Sequence, residues 1–328
     1  MRAVRAEQLD SIADYRIVEA ATPEPQRDEV RIRVAACGVG YVDALLALGR
    51  YQVKPALPFT PGIEVAGHIE AVGRDVVGLR PGDRVLAAVQ GGFAERVVTK
   101  AADATAIPDA LSFAQAAGFR INYLTALHGL RDRAALAEGE RLLVIGAAGG
   151  VGMAALQVGR CLGARVVACA SSEEKRAFAQ AQGAHCVIDA APEGWRERLK
   201  GAMDGAGPDV VFDPVSGPLM QPAFRSQNWR GRYLVVGFAQ GQIPALPVNL
   251  PLLKGAALIG VDVRQFQIFE AERTQAHLRQ LLGWVAEGSM SPPVGRTFRF
   301  EAFAEALEFA LTGQGLGKTV LRISGDDA

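Results

Sequence analysis

The 328-residue sequence predicts an α/β protein in which an all-β domain is interrupted by a doubly wound parallel-sheet domain. Three observations lead there. The chain up to about residue 118 consists of short extended runs separated by Gly and Pro turns. For about the next 120 residues, strands alternate with helices, as in a sheet wound on both faces. The tail from residue 259 is too short to bury a core alone, so it is expected to pack back onto the first segment. The expected division is therefore 1–118 with 259–328 for a discontinuous β domain, and 119–258 for the inserted domain.

Each element has a local reason. Val30-Arg31-Ile32-Arg33-Val34-Ala35 alternates apolar and polar, as a half-buried strand does. Runs 64–72 and 84–89 read as two more strands, with Gly73, Gly78 and the turn Pro81-Gly82-Asp83 between them. One helix is expected at 42–48. The texture changes near Ser112: residues 114–131 lack Pro, are rich in Ala and Leu, and predict one helix. Leu142-Leu143-Val144-Ile145 is a continuous apolar run, typical of a strand covered on both faces. Helix 151–162 follows and ends at Gly163. The cycle repeats with strands at 165–170, 186–189, 210–212 and 232–236, and with helices at 173–182, 195–202 and 219–226. After a strand near Leu258 come a helix at 271–287, the turn Pro292-Pro293, an edge strand, a helix at 302–311 and a final strand at 319–323.

Composition removes several function classes. Thirty-five basic and thirty-five acidic residues give a formal charge of zero, without the basic excess of a dedicated nucleic-acid binder. Hydrophobic residues make up 49% of the chain, enough for a sizeable core. The N-terminus lacks the apolar stretch of a secretory signal, and no run of 18 apolar residues predicts a membrane span. Cys37, Cys161, Cys169 and Cys186 stand far apart, without the spacing of a disulfide framework or a zinc ribbon. These features predict a soluble cytoplasmic protein.

The strand ending at Ile145 runs into Gly146-Ala147-Ala148-Gly149-Gly150-Val151-Gly152, which opens the next helix. This is the dinucleotide fingerprint with Ala147 in the first glycine place, set between strand and helix where the motif belongs. Gly149 would admit a pyrophosphate close to the backbone and Gly152 would bring helix and strand together, with the helix N-terminus facing the phosphates. Ala148, Gly150 and Val151 complete this loop. The second strand ends at Ala170, where an NAD site would carry Asp or Glu. Ser171, Ser172 and Lys175 follow, two hydroxyls and a cation suited to the 2′-phosphate of NADPH rather than to NADH. Ser171 or Ser172 could equally cap the helix, and the two roles are compatible.

Taken together, these residues resemble the medium-chain dehydrogenase/reductase superfamily, and within it the zinc-free quinone oxidoreductase branch related to zeta-crystallin. The likeness also rests on Pro61-Gly62-Ile63-Glu64-Val65-Ala66-Gly67, on Val72-Gly73 through Pro81-Gly82-Asp83-Arg84-Val85, and on Gly317-Lys318-Thr319-Val320-Leu321. It implies a GroES-like β domain interrupted by a Rossmann domain. Zinc alcohol dehydrogenases of this superfamily hold their metal through ligands whose places here are Gly40, Ile63 and Ile121, and Val42 replaces the hydroxyl that relays the proton. A catalytic zinc needs three protein ligands converging, so no metal is expected. His68, His128, His185 and His277 fall on separate elements.

Without a metal, the chemistry implied is hydride transfer from NADPH to a quinone or to the β-carbon of an enone. Negative charge then develops on a carbonyl oxygen, which a hydroxyl, an amide or a water can relieve. Tyr41, Tyr51 and Tyr123 are the candidate hydroxyls. Related reductases border the substrate with the 40–43 stretch and the Tyr at 51, and their usual Asn is Gly40 here. The resemblance carries Thr125 to the nicotinamide and Gly317 and Lys318 to a tail loop near the cofactor. Val215, in the loop after one strand, is placed where cofactor sits in such sheets, and Gly237 and Phe238, following another, are expected to border the nicotinamide half. Residues 38–49 also resemble the enoyl reductase domains of polyketide synthases, which keeps an enoyl-thioester reductase open. A nucleotide-binding protein with little turnover, as among the lens crystallins, is the third possibility. Relatives usually form homodimers by joining sheet edges, and 255–263 is apolar enough to be that edge.

Overall fold

A computed structural model describes residues 1–325. The chain divides into two compact units, the first formed by Met1–Arg120 with the described residues from Pro292 on, the second by Ile121–Ser291.

In the first unit a seven-stranded sheet is organised around the long strand Glu29–Val39. Strands Glu64–Val72 and Lys318–Arg322 pair with it antiparallel on either side, and Arg96–Lys100 pairs with its first half. Val294–Arg299 extends the sheet beyond Lys318–Arg322, while Arg84–Ala88 and Ala104–Ala106 extend it beyond Glu64–Val72. Alternation along Glu29–Val39 places Val30, Ile32, Val34 and Cys37 in a core shared with Val65, Val85, Phe93, Phe298 and Leu321. The helix Phe303–Thr312 adds Phe303, Ala306 and Leu307 to that core.

The second unit holds a six-stranded, wholly parallel sheet in the order Cys186–Asp189, Arg165–Ala170, Arg141–Ile145, Val210–Asp213, Arg232–Val235, Ala257–Gly260. This is the order 3-2-1-4-5-6 of doubly wound dinucleotide folds. Its interior strands are nearly continuous apolar runs, and Trp195, Phe224 and Tyr233 fill the layer beneath the sheet.

Two sequence expectations are corrected. Residues 114–131 are not one helix: Phe113–Ala116 stops, Arg120–Leu127 begins anew, and His128–Arg133 is a π-helical turn. The break contains Gly118, where a side chain would stand 2.6 Å from Lys318 Cγ. Glycine is a poor helix former, so local propensity and packing agree at this break. The return to the first unit also comes later than residue 259. Ala257–Gly260 is the sixth strand of the parallel sheet. The helix Ala271–Ala286 then buries Leu278, Leu281, Leu282 and Val285 and is tied within the second unit, His277 to Asp132 at 3.5 Å and Gln280 to Arg131. The long helix therefore belongs to the nucleotide-fold unit. Among the described residues, no helix is long and apolar enough to cross a membrane.

Candidate functional site

In the second unit, strand order reverses between Arg141–Ile145 and Val210–Asp213, and ligands of open parallel sheets bind at the carboxyl ends beside such a reversal. The glycine loop lies there. Gly146 adopts φ +64°, and a side chain on it would strike Val215 Cγ2 at 2.6 Å. Gly149 is the N-cap of the helix Gly150–Cys161 and supplies no side-chain cap, leaving the first-turn N–H groups for another acceptor. Gly149 is exposed with only the Gly146 carbonyl oxygen near it, at 3.5 Å. A methyl group at Gly152 would stand 2.2 Å from that same oxygen, so only glycine lets helix and strand approach this closely. Ala148 is buried behind the loop and Val151 half-buried at its end. Asn122, which the sequence reading did not single out, packs its amide against Gly150.

At the end of the second strand both roles considered for the serines coexist. Ser172 caps the helix Glu173–Ala181, its Oγ accepting from the Lys175 N–H at 3.2 Å. Lys175 Nζ donates to the exposed Ser171 Oγ at 3.4 Å, so hydroxyl and ammonium stand together at the strand's carboxyl end. Arg176, unnoticed in the sequence, binds the Asp189 carboxylate and the Ala170 carbonyl. The acidic group that this edge does contain is thereby already paired.

Beside the reversal, Asp213 is fully buried and gathers three donors. Its Oδ1 accepts from the N–H groups of Val215 at 2.8 Å and Ser216 at 2.9 Å, and its Oδ2 accepts from the Tyr233 hydroxyl. Burial pushes its carboxyl above the ordinary value, against the pull of these bonds. The clamp fixes the loop carrying Val215, while N–H groups of Ala239 and Gln240 bind the Pro214 and Val215 carbonyls. Half-buried Gly237 and the exposed ring of Phe238 are thus held next to Val215. Thr125 is buried, and its hydroxyl donates to the Ile121 carbonyl at 2.6 Å. Tyr123 is corrected as a candidate proton donor. It is fully buried and its hydroxyl donates to Gln157 Oε1 at 2.7 Å.

The first unit contains a second polar group of residues. The helix Tyr41–Ala47 opens at Gly40, whose N–H donates to Asp43 Oδ2 at 2.8 Å. Asp43 is buried, and burial raises its carboxyl from 3.8 to about 6 against the opposing influence of Lys318 and the Gly40 and Ile63 N–H groups. Lys318 Nζ donates to Glu64 Oε1 at 2.7 Å in the interior. Burial works to lower the Lys318 ammonium, but Glu64 and Asp43 outweigh it and hold it above its ordinary value. The Cys37 thiol donates to the Glu64 carbonyl at 3.1 Å, and burial raises it well above the usual thiol range. The Lys318 ammonium is thereby engaged with Glu64 inside the first unit. Gly317, at φ +69°, turns the chain into that strand. Tyr41 and Tyr51 stand half-buried in the same unit.

The donor set does not fit a catalytic zinc. Gly40, Ile63 and Ile121 carry no side-chain donor, and Glu64 is paired with an ammonium. Among the described residues, no three His, Cys, Asp or Glu side chains gather within reach of one ion. His128 and His277 share Asp132, at 2.9 and 3.5 Å, and His185 accepts from the Val166 N–H.

Residues 26–109 match the family described as alcohol dehydrogenase GroES-like domain, and residues 150–282 that described as zinc-binding dehydrogenase. The chain is 34% identical to the quinone oxidoreductase of Homo sapiens over 332 residues, spanning 98% of this chain and 97% of the human protein. It is similar to the structure of Escherichia coli quinone oxidoreductase complexed with NADPH, at TM-score 0.89 and 25% identity, over 98% of this chain and all of that one. The CurK enoyl reductase structure is similar at TM-score 0.89 and 25% identity, over 98% of this chain and 99% of that one. The chain belongs to the quinone oxidoreductase branch of the medium-chain dehydrogenase/reductase superfamily.

Proposed function

We propose that this oxidoreductase uses NADPH to reduce quinones or α,β-unsaturated carbonyl compounds without a metal. The observation that carries the reading is the edge of the parallel sheet: an uncapped helix N-terminus at Gly149 lies on the first strand and the Ser171–Lys175 pair on the second. The two fit a pyrophosphate and a 2′-phosphate respectively. Gly149, Gly150 and Val151 would hold the pyrophosphate, with Ala148 behind them. Ser171, Ser172 and Lys175 would hold the 2′-phosphate. Val215, Gly237, Phe238 and Thr125 would border the nicotinamide half. NADPH, once bound, supplies a hydride. Likeness to an NADPH-complexed reductase of Escherichia coli supports the cofactor assignment.

The protein's share of the chemistry is to bind, to orient and to meet the charge that develops on the acceptor oxygen. Tyr41 and Tyr51 are the hydroxyls assigned to the substrate side. The places that hold zinc in alcohol dehydrogenases carry glycine and aliphatic side chains here, which favours conjugated acceptors over alcohols.

An enoyl-thioester reductase is the second reading, favoured by the likeness to CurK enoyl reductase. Steady-state oxidation of NADPH with 1,4-benzoquinone, 9,10-phenanthrenequinone, an alkenal and crotonyl-CoA decides between them. Quinone or alkenal turnover well above crotonyl-CoA supports the first reading and the reverse order the second. Nucleotide binding without turnover on any acceptor defeats both. The working unit in this proposal is a cytoplasmic homodimer. The strand Ala257–Gly260 is an open sheet edge, and Trp229, Leu252, Leu253 and Leu258 are 75%, 81%, 69% and 44% exposed, which supports pairing at this edge.

A further inference from the structure

In the parallel sheet, the carboxyl end of the third strand stands beside that of the second. Asp189 and Ala170 are register partners across Cys186–Asp189 and Arg165–Ala170, and the Ala190 N–H donates to the Ala170 carbonyl at 3.2 Å. Neighbouring strands run about 4.8 Å apart. The Asp189 carboxylate is therefore one strand away from Ser171 and Lys175, whose hydroxyl and ammonium stand 3.4 Å apart. Its Oδ1 accepts from the Ala191 N–H at 2.6 Å, and its Oδ2 accepts from Arg176 Nη1. The same nitrogen donates to the Ala170 carbonyl at 3.4 Å, so Arg176 spans both strand ends from the helix Glu173–Ala181. Arg198, which also reaches this edge, donates instead to the Ala191 and Glu193 carbonyls.

We propose that Arg176 is a specificity-determining residue for the nucleotide, acting through Asp189 rather than by touching the cofactor. The proposal deepens the NADPH reading above and rests on it. A 2′-phosphate held by Ser171 and Lys175 carries close to two negative charges at neutral pH. A bare carboxylate one strand away lies within the screening length of about 10 Å at 0.1 M salt, so it repels that phosphate and disfavours NADPH. NADH has an uncharged ribose hydroxyl at the same place, which a carboxylate does not repel. The guanidinium cancels the carboxylate's charge where water does so poorly, since the two side chains are 25% and 34% exposed. Glu173 and Glu174 share the first turn of the helix but are exposed, and water screens them. With Asp189 masked, the phosphate meets the ammonium of Lys175 without a carboxylate opposing it from the third strand.

Isothermal titration of the full chain with NADPH and with NADH tests this without relying on turnover. Arg176→Gln should weaken NADPH about tenfold and NADH by less than about twofold. Adding Asp189→Asn to Arg176→Gln should return NADPH to within about threefold of the parent, because no charge is left to mask. Should Arg176→Gln not fold, Asp189→Asn alone still decides. With the carboxylate gone it should bind NADPH at least as tightly as the parent, and weaker binding overturns the proposal. Equal weakening of both nucleotides in Arg176→Gln would mean that the arginine only supports the fold, and the proposal fails. A double variant that binds NADPH as weakly as Arg176→Gln would mean that the guanidinium holds the phosphate itself, which overturns the masking role. A parent protein that does not prefer NADPH to NADH defeats the NADPH reading itself. A parent that prefers NADPH, with an Arg176→Gln that keeps the same ratio, defeats this proposal alone.

Discussion

Lys318 Nζ and Glu64 Oε1 lie 2.7 Å apart across 254 residues of sequence. Glu64 begins one strand and Lys318 begins another, and these two strands flank Glu29–Val39 on opposite sides. The side chains are 1% and 9% exposed. The pair therefore fastens the last described strand to the body of the first unit at a point from which water is excluded.

Removing one partner strands the other charge in the interior. Glu64→Met should destabilise the first unit by about 3–5 kcal/mol in urea unfolding, and the double variant with Lys318→Met should recover most of that loss. A double variant no more stable than Glu64→Met would show that the buried charge is not what costs the stability.

Asp43 makes stability depend on acidity in an unusual direction. Its carboxyl rises from 3.8 to about 6 on folding, so the folded state holds this proton more tightly than the unfolded chain. Its contribution is fully present below about pH 4 and is lost as pH climbs through about 6. The stability of the parent protein relative to Asp43→Asn should fall by about 3 kcal/mol over that interval and then level off. Denaturant midpoints measured across the range check this, and a constant difference would refute it.

At Gly152 the sequence allows no side chain. Because a Cβ there would stand 2.2 Å from the Gly146 carbonyl oxygen, Gly152→Ala should displace the helix Gly150–Cys161 from its strand. Overpacking of this kind costs about 1–3 kcal/mol, and NADPH affinity should drop at least about tenfold. Isothermal titration of the folded variant measures the second effect, and parent-like affinity would count against the loop as the phosphate cradle.

Lys175→Ala separates the two nucleotides. Loss of a charged contact to the 2′-phosphate should weaken NADPH by about 2 kcal/mol, roughly thirtyfold, and leave NADH nearly unchanged. Equal weakening of both would mean that the side chain does not meet the phosphate.

The exposed edge strand Ala257–Gly260 predicts self-association. Light scattering coupled to size exclusion should report twice the 34.7 kDa chain mass, and Leu258→Lys should shift the population toward the monomer. A parent protein that elutes only as a monomer would contradict the dimer.

Much of the second unit was legible because its signals are local. Apolar runs such as Leu142–Ile145 and the glycines at 146, 149 and 152 specify strand, turn and helix from neighbours in sequence. The Ser171–Lys175 pairing lies within one helical turn and could be read the same way. Less legible were the elements that depend on distant partners. Nothing near Gly118 announces that a lysine 200 residues later will occupy the space beside it. Tyr123 looked like a free hydroxyl because Gln157, its acceptor, stands on another helix. The helix after residue 270 was expected from its sequence, but not which unit its apolar residues would meet.

Sequence alone determined the two-part α/β architecture and the nucleotide loop, since periodicity and glycine geometry act over a few residues. Only tertiary structure decided that Lys318 turns inward to Glu64 and that Asp213 clamps the loop of Val215. Charges and donors far apart in the chain find their partners only when the sheets close, because burial makes an unpaired polar group too costly to leave.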